Sequence, residues 1–183
     1  MLDWKLATRN DLLQEIGGED GAKFLQVSER RRLAGITQAG RRDEFIASRW
    51  LARKTLCANF GGTAGDWDIA AEHGQAPLVT GPAPAYLSMS HSGEWIAVAV
   101  SDGAVGLDIE RVKQRKNTLA LARMAATPRE SLALEALQEP ARSALFIQFW
   151  TIKEAWLKSR GSGLDFDLMR RLTNEEATPS WLR

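Results

Sequence analysis

The run YLSMSHSGEWIAVAVSDGAVGLDIERV, residues 86–112, constrains the fold more than any other part of the chain. Alternating and β-branched residues on both sides of Asp102-Gly103 form a strong hairpin signal. The pattern predicts a short strand to Ser90, a loop at HSGE, a strand WIAVAVS, a turn at Asp102-Gly103 and a further strand AVGLDIERV. Helical patterns lie before and after this run, and the combination predicts an α+β fold with a strand hairpin near the middle.

On the helical side, SERRRLAGI offers Ser28 as a cap and Glu29 for a positive helix start. In RRDEFIASRWLARKTLCANF, residues Phe45, Ile46, Trp50, Leu51, Leu56 and Phe60 follow a 3.6-residue period that stops at Gly61-Gly62. Residues 61–86 are rich in Gly and Pro and read as loops with one short strand at WDIAA. Thr127, Pro128 and Glu130 form a capping box with proline at the first helical position. After Pro140 a long helix follows, with Leu145, Phe149, Ile152, Trp156 and Leu157 on its apolar face and a stop at Gly161.

The chain's 183 residues suffice for one domain or two small subdomains, and 44% hydrophobic with 26% charged residues exclude collagenous, disordered and disulfide-rich classes. A net charge of +1 gives no indication of nucleic-acid or membrane binding. The single Cys57 reads as a core filler and fits a reducing, cytoplasmic setting. The N-terminus has early acids and no unbroken apolar run, so no signal peptide is expected, and no segment approaches the ~18 apolar residues of a membrane span.

The chemistry lies in three blocks. If AVGLDIERV is a strand, Asp108 and Glu110 share one face and Leu107 and Ile109 the other. Two adjacent carboxylates need a cation, a basic partner or solvent. A solvated strand end with Glu110 paired to Arg111 or Lys113 satisfies them, and so does a hard cation such as Mg²⁺. In FWTIKEAWLKSRG, Trp150, Glu154 and Lys158 fall at i, i+4 and i+8, with Lys153 a step around; a surface ion pair between Glu154 and Lys158 accounts for that spacing equally. In SMSHSGE, His91 sits between Ser90 and Ser92, and their hydroxyls, the imidazole and the loop amides suit a phosphate cradle, or a solvated loop. Arg49 and Arg53 lie at i and i+4 among acids, either as surface charges or as anion ligands.

Taken in order, SMSHSG, VGLDIE and FWTIKEAWLK resemble the signature of the 4′-phosphopantetheinyl transferases, in the larger monomeric surfactin-synthetase-activator type. ASRWLARKTL resembles the family's Arg-containing helix more loosely, so the resemblance spans roughly residues 40–168. It implies a pseudo-dimer of two similar α+β halves, here 1–103 and 104–183, with the second half carrying the metal carboxylates. It implies a Mg²⁺-dependent enzyme, Mn²⁺ being an alternative, that moves the phosphopantetheine arm of coenzyme A onto a serine of an apo carrier protein and releases 3′,5′-ADP.

Carried over by position, Asp108, Glu110 and Glu154 would hold the metal, and Glu154 and Lys158 would be catalytic. Ser90, His91, Lys153, Lys158, Arg49 and Arg53 would contact coenzyme A. A monomer in the cytoplasm is expected, with RVKQRKN at residues 111–117 a candidate carrier-docking surface. Two departures stand out. Gln75 in GQAP replaces a cation of the family pattern, a loss that Arg42, Arg49 or Arg53 could compensate, Arg49 first. The chain also ends soon after GSGLDFDL, so a reduced sheet in the second half and an irregular tail LMRRLTNEEATPSWLR are expected. A non-catalytic coenzyme A or carrier-binding module and a metal-dependent phosphohydrolase are the competing readings.

Overall fold

The computed structural model describes residues 1–17, 22–70 and 76–178. The fold is α+β, with its strands in the first part of the chain and helices alone after Ser101 among the described residues. A three-stranded antiparallel sheet has the order β1 (Leu2–Thr8), β5 (Trp95–Ser101), β4 (Tyr86–Ser92). A two-stranded ribbon, β2 (Asp68–Ala70) and β3 (Leu78–Thr80), lies beside it. Three helices complete this part: α1 (Arg9–Ile16), α2 (Val27–Ala34) and α3 (Ala39–Phe60).

The hairpin differs from the expected one. β5 pairs with β4 through the two-residue turn at Gly93-Glu94, where Gly93 takes φ 66° as a tight turn of this kind requires. Its other edge pairs with β1, Leu2 opposite Ser101 and Thr8 opposite Trp95. Residues 104–112 are therefore not a strand of this sheet, because β5 has no edge left for them. β1 and α1 escaped the sequence reading: β1 leaves Leu2, Trp4 and Leu6 exposed, so its alternation marks no buried face.

Period-2 alternation decides what covers each face of β5. Ile96, Val98 and Val100 point to α3, where they pack with Ala47, Leu51, Ala52 and Leu56. Ala97 and Ala99 point to the opposite face and are also buried. Small side chains there allow a further layer of chain to lie close above β5 and β4.

The helical part comprises α4 (Thr118–Ala125), α5 (Pro128–Glu135), α6 (Ala141–Ser159), α7 (Phe166–Met169) and α8 (Asn174–Ala177). The Thr127–Glu130 capping box starts α5 as expected. α6 buries Phe146, Ile147, Lys153 and Leu157, a face rotated from the predicted one; Leu145, Phe149 and Trp156 are only partly buried at its margin. The expected irregular tail contains α7 and α8, the latter opened by a Thr173–Glu176 capping box. At α2, Gln26 rather than Ser28 is the N-cap, with Glu29 closing the box. A second α+β half similar to the first is not seen among the described residues, and Gln75 lies outside them. No described helix is long and apolar enough to cross a membrane.

Candidate active site

Three serines build the site. Ser88, Ser90 and Ser92 alternate on β4 and so point to one face of the sheet. Their hydroxyls accept the backbone N–H groups of Leu107, Ile109 and Arg111 at 2.9, 3.3 and 3.0 Å. The 104–112 segment is thereby tied along β4 through side chains instead of a backbone ladder. Each hydroxyl keeps one hydrogen to donate. Ser90 gives its own to Asp108 Oδ1 at 2.6 Å and Ser92 to Glu110 Oε2 at 2.9 Å. Glu110 is thus held by Ser92, not by the Arg111 or Lys113 of the simpler reading.

α6 closes the site from above. Gly106 lies so close to it that a Cβ would fall 1.8 Å from the Ala155 carbonyl oxygen. Only glycine allows this approach, and it brings the last turn of α6 onto the carboxylates. Lys158 Nζ donates to Asp108 Oδ1 at 2.6 Å and Ser90 Oγ at 3.3 Å, and lies 3.6 Å from Glu154 Oε2. The Asp108 side chain is 5% exposed, yet its Oδ2 has no hydrogen-bond partner among the described residues. Burial pushes the Glu154 pKa above the usual carboxylate value; the charge of Asp108 adds to the rise, Lys158 opposes it, and Glu110 adds a little more. Three acids and one lysine thus share a single field, as the sequence blocks predicted. Among the described residues no three of His, Cys, Asp and Glu are already drawn together as a metal cage.

A cavity of about 290 Å³ opens beside this cluster, lined by Glu154, Lys158, Ser88, Met89, Arg49 and Arg32 among others. Arg49 is buried, donates to Met89 Sδ at 3.2 Å and stands 4.6 Å over the Phe45 ring. Its Nε lies 3.0 Å from Glu29 Oε1 without hydrogen-bond alignment, so it is an ion pair with an unsatisfied donor. Burial lowers its pKa to about 10 against the pull of Glu29. Among the described residues Glu29 is the carboxylate that serves both Arg49 and Arg53.

The remaining expected ligands are placed elsewhere. Lys153 does not reach the cavity: its ammonium is buried among Glu130 Oε2 at 2.5 Å, Met169 O at 2.8 Å and Ala125 O at 3.0 Å, tying α6 to its neighbours. Arg53 is fully buried and spends its guanidinium on Glu29, Trp67 O and Ala64 O. Arg42 donates to Leu33 O and Ile36 O, closing the end of α2. Ser90 is committed to Asp108 and Ile109 and acts as a support. His91 points away from Ser90 into a separate cavity of about 410 Å³ with Arg41, Arg32 and Ser48. There its Nε2 lies 3.1 Å from Glu44, and burial lowers its pKa while Glu44 resists. Ser88, Gly106 and Glu29 were missed; for Ser88 the signal was present as a period-2 repeat in SMSHS, and Ser92, expected at a phosphate cradle, instead holds Glu110 and the Arg111 amide.

A carboxylate pair tied to β4 thus meets a Glu–Lys face of α6 beside a cavity lined in part by arginines. Residues 104–182 match the model of the 4′-phosphopantetheinyl transferase superfamily. The chain is 35% identical over 130 residues to 4′-phosphopantetheinyl transferase AcpT of Salmonella typhimurium, covering 70% of this chain and 64% of that protein. It is 32% identical over 97 residues to a 4′-phosphopantetheinyl transferase of Bacillus subtilis, covering 53% and 42% respectively. A holo-(acyl-carrier-protein) synthase structure from Bacillus anthracis is a looser match, 19% identical with a TM-score of 0.47 over 54% of this chain and 91% of that one. The chain spans between 37% and 64% of the length of the first curated relatives it matches.

Proposed function

We propose that the protein is a 4′-phosphopantetheinyl transferase, moving the phosphopantetheine arm of coenzyme A onto a serine of an apo carrier protein with release of 3′,5′-ADP. The observation that carries this reading is the Asp108–Lys158–Glu154 cluster, whose Lys158 and Glu154 line a cavity together with Arg49 and Arg32. The sheet part, residues 1–103, supplies the cationic wall and the serine supports; residues 104–183 supply the acids and Lys158.

A divalent cation fits these residues. Asp108 Oδ2 is a buried carboxylate oxygen with no donor among the described residues, and Mg²⁺ needs only one or two such oxygens plus water and phosphate. Asp108, Glu110 and Glu154 would hold it, and Mn²⁺ shares the preference for oxygen. When bound, the ion would supply Lewis-acid neutralisation of the diphosphate.

The chain's own groups do the rest. Lys158 presents a point charge toward the scissile phosphate, and Arg49 offers a planar fork suited to phosphate oxygens in place of the family cation that Gln75 replaces. Glu154 is placed to accept the proton of the carrier serine, directly or through water. Catalysis is then positioning and charge neutralisation around an in-line attack, with no covalent enzyme intermediate.

The test is to incubate the protein with coenzyme A, Mg²⁺ and apo carrier proteins and weigh the carriers by mass spectrometry. A gain of one phosphopantetheine group is expected, lost in Asp108→Ala with the circular-dichroism spectrum unchanged. Release of phosphopantetheine without any carrier would assign a hydrolase instead. Coenzyme A binding with no carrier gaining mass would leave a binding module and end the transferase reading.

A further inference from the structure

β1 is an edge strand whose exposed side is self-complementary. Its outer edge carries no partner strand among the described residues. On the sheet face shared with Ala97 and Ala99 it displays Leu2, Trp4 and Leu6 at 52%, 59% and 46% exposure. On the other face stand Asp3 and Lys5, joined within the strand at 3.2 Å. A seven-residue edge that is apolar on its open face and free of proline invites pairing.

The direction of the backbone groups can be read from the ends of the strand. Met1 O accepts from Asp102 N, and Arg9 N donates to Glu94 O. Both contacts continue the β1–β5 register, so odd-numbered residues turn their N–H and C=O toward β5. Leu2, Trp4 and Leu6 consequently turn theirs outward, on the same residues whose side chains are apolar and exposed.

We propose that β1 pairs antiparallel with β1 of a second copy of this chain, about a two-fold axis at Trp4. In that register Leu2 lies opposite Leu6 of the second copy, Trp4 opposite Trp4, and Leu6 opposite Leu2. These are the outward-facing residues, so each pair exchanges both backbone bonds. Asp3 falls opposite Lys5 and Lys5 opposite Asp3, in the closer non-hydrogen-bonded pairs, where opposite charges stabilise and like charges oppose pairing. A slip of one step brings outward groups against inward ones. The next in-phase register on either side sets Lys5 against Lys5 or Asp3 against Asp3. One register alone satisfies the backbone, the apolar face and the charges together, and it is isologous as a closed dimer must be.

The product is a continuous six-stranded sheet, in place of the monomer that the family resemblance implies. The carboxylate site lies over β4, at the far edge of each sheet, and stays open. The contact is smaller than a standard interface, so the dimer is weak and concentration-dependent.

The test is sedimentation equilibrium from low micromolar to submillimolar chain, with amide hydrogen exchange at both ends of the range. A monomer–dimer equilibrium is expected, with the amides of Leu2, Trp4 and Leu6 gaining protection as concentration rises while Asp3, Lys5 and Ala7 do not. Trp4→Glu should leave only monomer, with transfer activity unchanged. Asp3→Lys should weaken association about tenfold, and Asp3→Lys with Lys5→Asp should restore it. Monomer at every concentration, a dimer that survives Trp4→Glu, or a charge swap that fails to restore association each overturns the proposal.

Discussion

Replacing Gly106 by alanine tests whether the close passage of the 104–112 segment beneath α6 positions the site. The added Cβ would fall 1.8 Å from the Ala155 carbonyl oxygen and 2.5 Å from the Ser159 amide, where contacts under 3.0 Å are essentially never found. Both are helix backbone and cannot swing aside, so segment and helix must part by roughly 1 Å or more. Asp108 is two residues from the insertion and Lys158 within one turn of its collision partner, so their 2.6 Å contact takes the displacement directly. A 1 Å misplacement of reacting groups costs on the order of 10²-fold in rate. Overpacking costs about 1–3 kcal/mol, or a Tm drop of roughly 2–10 °C for a chain of this length. Carrier-loading kinetics and thermal melts read both effects, with Gly103→Ala as control because a Cβ there meets nothing within 4 Å. Wild-type turnover and Tm in Gly106→Ala would refute the argument that this approach sets the site.

Three further outcomes are expected. Ser90→Ala leaves the Ile109 amide and Asp108 Oδ1 each short of a partner, worth about 1–3 kcal/mol, so kcat should fall about 10–100-fold with the far-ultraviolet spectrum unchanged. Lys153→Met strands the buried carboxylate of Glu130 and should lower Tm by roughly 10 °C without raising the KM for coenzyme A in protein that remains folded. Asp66 and Glu176 are held below their ordinary values of 3.8 and 4.5 by the backbone amides of Thr63 and Thr173. Their folded pKa values are depressed, so the stability they add is complete at neutral pH and lost as pH falls through those values. Asp66→Asn should therefore shallow the fall of Tm with pH on the acid side, and an unchanged slope would remove Asp66 from the account.

The sequence blocks located the site but misjudged its scaffold. Asp108, Glu110, Glu154 and Lys158 were legible through the order of the blocks SMSHSG, VGLDIE and FWTIKEAWLK, since spacing alone also allowed solvated acids and a surface ion pair, and the structure brings them together. The hairpin was misread because Asp102-Gly103 is a good turn sequence and β1 was invisible; β5 took β1 as its second partner, and 104–112 was displaced onto the face of β4. Its backbone was then satisfied by serine hydroxyls, an arrangement that hydropathy cannot reveal because it replaces the ladder with side chains. The period-2 repeat Ser88, Ser90, Ser92 was visible, but a serine facing a segment of chain and one facing a ligand look alike before the fold is known.

The basic residues show the deeper difficulty. Lys153 and Lys158 stand on one helix with the same chemistry, and spacing placed both near the acids. Five residues of helix turn them about 140° apart, so only one of them can face the carboxylates of the 104–112 segment. Which one does so depends on where Glu130 lies, and Glu130 comes from a capping box on another helix. Arg49 and Arg53 divide in the same way around Glu29, itself the closing residue of the box that opens α2. In both cases a helix cap fixes a buried carboxylate: Glu130 takes Lys153 and leaves Lys158 beside the cavity, while Glu29 accepts hydrogen bonds from Arg53 and holds Arg49, at the cavity, only by an unaligned ion pair. If this division sets function, Arg49→Met should raise the KM for coenzyme A with little change in Tm, whereas Arg53→Met should lower Tm by several degrees, since it leaves buried Glu29 only the Gln26 amide and the unaligned Arg49. Equal effects of the two substitutions on KM would show that the buried carboxylate does not sort them.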